Sequence, residues 1–210
     1  MKTKRKALLL SLCAVLLVVA SVMGTMAYLT SSDTVTNTFT VGNVQITLDE
    51  AKVNPDGTLV PNAERVKANS YKLLPGRTYI KDPTVTVKAG SESSYIKMTV
   101  TFTNAAQLDA IFALNGGADM TSIFNGYDSA KWIDKGSTTA ANTRTYEFWY
   151  KETVAAPKAD VVLDALFDSI TVPGSITKEQ LATIEGLTIT VNAYAIQADG
   201  FANADAAWKA

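Results

Sequence analysis

The feature that most restricts the fold is an unbroken alternation in the middle of the chain. Across residues 95–103, Ile96, Met98, Val100 and Phe102 interleave with Lys97, Thr99, Thr101 and Thr103. A repeat of two puts all four apolar side chains on one face of a β-strand, whereas a helix would scatter them around its axis. The same period appears near the start, where Thr34, Thr36, Thr38 and Thr40 alternate with Val35, Asn37, Phe39 and Val41. It resumes at Val44, Ile46 and Leu48 after Gly42-Asn43, a pair suited to a bulge or bend. Further strands are expected at 84–89, around Val85 and Val87, at 143–151, around Tyr146, Phe148 and Tyr150, and at 187–197. The last is nearly free of charge, as expected of a strand lying centrally in a sheet.

Turns and short helices separate these strands. Asn54-Pro55-Asp56-Gly57 is a turn, since Pro sets φ and Gly accepts positive φ. Helical spacing of apolar residues marks 105–114 and 160–170, the second through Val161, Leu163, Leu166 and Phe167. Thr177-Lys178-Glu179-Gln180 has the form of a capping box, which predicts a short helix over 177–185 ended by Gly186. The expected fold is all-β with short inserted helices, a single domain over residues 28–210, with no internal repeat or low-complexity linker.

Ahead of the first strand stands a leader. Lys2, Lys4, Arg5 and Lys6 precede an apolar run over 7–23, and Gly24-Thr25-Met26-Ala27 supplies small residues at a cut site. Residues 1–27 read as an export signal cleaved between Ala27 and Tyr28. The run is long enough that retention as a membrane anchor is the second reading. The expected destination is extracellular, with the membrane touched only through an uncleaved leader. Cys13, the chain's one cysteine, lies in this leader, so a processed chain would form no disulfide and would depend on its core. Removing the leader leaves about 180 residues and a net charge near −5, because four of the 19 basic residues go and all 20 acidic ones stay. Without a basic cluster, nucleic acid is not an expected partner.

Catalysis finds little support. The chain contains no histidine. A Ser-His-Asp triad, a Cys-His dyad and a His-Glu-x-x-His zinc site therefore cannot form. Carboxylate-only and Ser-Lys chemistry stay open, though neither leaves a local signature. Asp160, Asp164 and Asp168 would fall on one face of the helix expected there, where they read as a solvated face before a cation site. Asn115-Gly116-Gly117 lacks the Lys and Ser or Thr of a phosphate loop. Tyr146, Phe148, Trp149 and Tyr150 would supply core and one exposed ring, or else a surface for stacking on sugar or protein. No enzyme activity, cofactor or metal site is expected.

Several segments together resemble the TasA and camelysin family of exported proteins of Gram-positive bacteria, whose leaders are cut by a SipW-type signal peptidase. They are Gly24-Thr25-Met26-Ala27-Tyr28-Leu29-Thr30, the stretch from Asn37-Thr38-Phe39-Thr40-Val41 to Leu48, Leu74-Pro75-Gly76 leading toward Tyr95-Ile96-Lys97, and the ending Ala193-Tyr194-Ala195-Ile196-Gln197-Ala198-Asp199-Gly200-Phe201. The likeness is specific over the first 48 residues and architectural beyond them. It implies a jelly-roll-like β-sandwich and fibres of a biofilm matrix, in which one subunit's N-terminal segment completes the next subunit's sheet. The implied partners are the chain itself and the signal peptidase, with room for an accessory matrix protein. Camelysin-like relatives imply a metal-dependent peptidase, a role that no His-Glu-x-x-His here can receive. The N-terminal segment 28–48, with its strand over 34–41, has two readings, the first strand of the chain's own sheet or a donor to another subunit, with Val35, Asn37, Phe39 and Val41 as self-assembly residues. A monomeric surface module that binds glycan or protein is the first alternative function, and a secreted peptidase using carboxylates and a metal the lesser one.

Overall fold

The computed structural model describes residues 42–115 and 120–210. The expected cleavage pair Ala27 and Tyr28, and the self-assembly residues Val35, Asn37, Phe39 and Val41, lie outside the described residues. Gly42–Ala210 forms one compact unit.

That unit is mostly β, with short helices inserted between strands and its sheets arranged as a sandwich. The largest sheet runs in the order β11(Ile189–Gln197), β4(Ser91–Thr103), β7(Thr143–Tyr150), β6(Trp132–Ala140), with β8(Val154–Ala156) also pairing β4. A second sheet places β3(Thr84–Val87) between β1(Ile46–Asp49) and β9(Val161–Val162). A third sets β10(Ser169–Thr171) between β2(Thr78–Ile80) and β5(Phe124–Asn125). Among the described residues every strand pair is antiparallel.

β4 carries the alternation of residues 95–103. Ile96, Met98, Val100 and Phe102 are buried, with at most 1% of their surface exposed, while Lys97, Thr99, Thr101 and Thr103 form the half-buried outer face. Outer threonines pair across strands, Thr101 Oγ1 lying 2.9 Å from Thr145 Oγ1, a contact that suits branched side chains on a pleated surface. Inside, Phe102, Phe124 and Phe167 form a continuous stack, with ring centroids 6.0 and 4.3 Å apart. Offset aromatic contacts of this kind add to the area they bury.

The helices expected at 105–114 and at Thr177 are present. α1(Ala105–Leu114) has no side-chain cap of its own. The β6–β7 turn supplies one, as Asn142 accepts from Ala105 N and Ala106 N through its carbonyl and its Oδ1. In α2(Lys178–Ala182), Thr177 Oγ1 accepts from Gln180 N at 3.2 Å and Gln180 Oε1 from Thr177 N at 2.9 Å, the predicted reciprocal box. A third short helix, α3(Ala204–Ala207), precedes Trp208.

Two expectations are corrected. Residues 160–170 are not a helix. Val161 and Val162 pair with Val87 and Thr86, Leu163 N donates to Val85 O, Leu166 N donates to Pro83 O, and 169–171 join β2 and β5. Long-range main-chain partners win over local spacing here, and branched Val161-Val162 is a weak helix former in any case. The three aspartates therefore share no face. Asp160 pairs with Lys88 and accepts from Ala89 N, Asp164 accepts from the Tyr150 hydroxyl, and Asp168 lies against Gly126. The second correction concerns residues 187–197, whose strand β11, among the described residues, pairs only with β4 and so lies at the edge of the largest sheet.

Gly57 is a position where glycine is required. Its φ is +83°, and a Cβ there would come within 2.5 Å of the Tyr79 ring.

Candidate functional site at the open edge

The paired register shows which main-chain groups β11 leaves available. Thr188 O accepts from Thr103 N, and Ala198 N donates to Ser93 O. In an antiparallel ladder the residues bonded to the partner strand alternate with those turned away from it. Even-numbered residues from 188 to 198 therefore face β4, and Ile189, Val191, Ala193, Ala195 and Gln197 direct N–H and C=O to the open side. No hydrogen bond joins those outward groups to another described residue. Their side chains, Gln197 apart, turn half-buried toward the core, while Thr190, Asn192 and Tyr194 are exposed.

Beside this edge lies a groove of about 1210 Å³. Its walls are β1, the edge strand of the second sheet, the segment 66–73, α2 and the start of β11. Leu48, Leu73, Leu181, Leu187 and Ile189 are partly buried around it. Two sheet edges thus border one largely apolar trough.

The other edge of the large sheet is constructed differently. β6 carries Asp134 and Lys135, and its register with β7 shifts between Asp134 and Ser137, where Gly136 has φ +89° and donates its N–H to Asp134 Oδ1. Charges and a bulge are the common means of stopping an edge from pairing with another chain. β11 has neither: its nine residues, Ile-Thr-Val-Asn-Ala-Tyr-Ala-Ile-Gln, hold no charge, and its register with β4 is continuous.

The groove wall also contains a buried ion pair. Lys81 Nζ lies 2.6 Å from Glu50 Oε2, with both side chains 8% exposed. Above them the Tyr71 hydroxyl donates to Ile80 O at 3.2 Å, and burial, aided by the Glu50 charge, pushes its pKa well above the ordinary phenol value. At the end of β7, burial, reinforced by Asp164, raises Tyr150 to about 12.

The aromatic run of β7 is covered on both faces. Tyr146 and Phe148 enter the core, while Trp149 is 8% exposed beneath Lys135, whose Nζ stands 3.9 Å from its ring centroid, and beside Trp208 at 6.3 Å. Among the described residues no group of three or more His, Cys, Asp or Glu is arranged to hold a metal, and no helix is long and apolar enough to cross a membrane.

Sequence reasoning missed the β11 edge although its signal was in view. Absence of charge over 187–197 marks a strand that is either covered on both sides or unprotected, and composition does not separate the two. The Glu50–Lys81 pair left no local signal, because its members are 31 positions apart.

Fold and groove together define a class, a mostly β, antiparallel sandwich in which, among the described residues, one sheet edge is left unprotected beside an apolar trough. No family model, no curated protein and no solved structure matches the chain.

Proposed function

We propose that this chain is an exported structural subunit that assembles with itself by strand donation, forming extracellular fibres or a surface layer of a bacterial biofilm. In this reading residues 34–41 of one subunit add to the outward side of β11 in the next. The observation that carries it is the contrast between the two edges of the large sheet, one blocked by charge and a bulge, the other uncharged, regular and open onto an apolar trough.

The chemistry of the two partners is complementary. An added strand supplies main-chain donors and acceptors to the outward groups of Val191, Ala193 and Ala195, and its apolar face enters the trough. Val35, Phe39 and Val41 lie on one side of the donor by the period of two, together with Asn37. Cleavage between Ala27 and Tyr28 would free the donor from a membrane-held leader, so that a signal peptidase of SipW type acts as the trigger. The resemblance to the TasA and camelysin family supports the same reading from the leader and first strand. A glycan-stacking module draws no support from β7, whose rings from 146 to 149 are covered.

The test is assembly with and without the donor. Residues 28–210 are expected to form filaments visible by electron microscopy, and residues 42–210 to remain monomeric at the same concentration. Equal polymerisation of the two would rule out donation by this segment.

A further inference from the structure

The buried pair in the groove wall has a third member. Glu50 Oε2 accepts from Lys81 Nζ at 2.6 Å, and its other oxygen, Oε1, accepts from Asn69 Nδ2 at 2.9 Å. One carboxylate thus holds a primary amine and a carboxamide side by side. Glu50 and Lys81 are 6% and 7% exposed, and the neighbouring rings of Tyr71 and Tyr79 meet edge to face, with Lys81 Nζ 6.0 Å from the Tyr71 centroid. The amide is oriented from all sides: Nδ2 also donates to Ala51 O at 2.8 Å, and Oδ1 accepts from Val53 N at 3.1 Å.

We propose that Lys81 and Asn69 become joined by an intramolecular isopeptide bond, with Glu50 transferring the protons. The Lys81 ammonium first passes a proton to Glu50 Oε2, and the neutral Nζ attacks Asn69 Cγ. The Val53 N–H stands on the oxygen that takes up negative charge in the tetrahedral intermediate, the role of an oxyanion donor. Glu50 then hands its proton to Nδ2 while Nζ gives up another. The Cγ–Nδ2 bond breaks, ammonia departs, and the last displaced lysine proton remains on Glu50. The balance is closed: an ammonium, a carboxamide and a carboxylate become a substituted amide, ammonia and a neutral carboxylic acid, with no change of oxidation state and no co-reactant.

Two physical factors favour the step. Amine and amide are held together by the fold, which makes an otherwise slow bimolecular reaction intramolecular. Formation of the amide also removes two charges from a buried place, where an ion pair is costly to desolvate. The bond would close the loop from 69 to 81 and fix the groove wall, restricting the unfolded chain as any covalent staple does. This inference stands apart from strand donation and does not depend on it.

Mass spectrometry of the full chain, folded and purified, decides it. The protein is expected to be lighter than its sequence by one ammonia. Trypsin should release residues 68–72 attached to residues 78–88, because an acylated Lys81 is no longer a cleavage site. Glu50→Gln should restore the full mass and the separate peptides. A wild-type chain at full mass overturns the proposal whatever the variant does. So does a loss of ammonia that maps to one linear peptide, as a succinimide at Asn115-Gly116 or Asn125-Gly126 would.

Discussion

β6 and β11 bound the same sheet and have the same length, yet they present opposite surfaces. β6 is exposed after Trp132, carries Asp134 and Lys135, and breaks its register at a glycine with positive φ. β11 is regular and uncharged, and the side chains directed at the core are half-buried and not sealed. An edge strand normally has to be defended against pairing with other chains. The proposal of strand addition rests on this difference, that one edge is defended and the other, among the described residues, is not.

Substitutions can sharpen this contrast. Val100 of β4 and Val191 of β11 are direct cross-strand partners, so truncating each compares centre with edge at one level of the sheet. Val100→Ala, at a fully buried site, should cost about 2 kcal/mol in denaturant unfolding. Val191→Ala should cost clearly less in the isolated subunit, because its side chain is only partly removed from water. Equal losses would mean that β11 is as enclosed as β4. Between these two in size falls Gly136→Ala on the defended edge. A Cβ there meets open space, so the cost is backbone strain alone at φ +89°, about 1 kcal/mol by thermal or chemical unfolding, with filament formation unchanged.

What could be read in advance follows from where each signal lies. The alternation at 95–103, the helical spacing at 105–114 and the capping box at Thr177 are local, and the structure places a strand, α1 and α2 there. Residues 160–170 misled because Val161, Leu163, Leu166 and Phe167 fit a helical stripe as well as they fit extended chain. Only the acceptors at Val85, Val87 and Pro83, more than seventy positions away, decide between them. β11 was legible as a strand but not as an edge, since sheet order depends on which strands pair. The Glu50, Asn69 and Lys81 cluster was not legible at all, being assembled from three separate segments by the β1 register, the Glu50–Val66 bridge and the end of β2. The residues expected to donate, Val35, Asn37, Phe39 and Val41, come from the period of two and the family resemblance.

The central claim, that the outward side of β11 receives a strand, is tested most directly by two neighbouring prolines. Ala193 turns its N–H away from β4, so Ala193→Pro removes a donor that only an added strand would use, and proline is tolerated at such edge positions. Asn192 turns its N–H toward β4, so Asn192→Pro should break the sheet and serves as the reference for misfolding. The measurement is filament yield from residues 28–210 by electron microscopy, with the thermal midpoint of each variant read alongside. Ala193→Pro should keep a midpoint near that of the parent and lose its filaments. Filaments from Ala193→Pro at the parent's yield would contradict strand addition at β11.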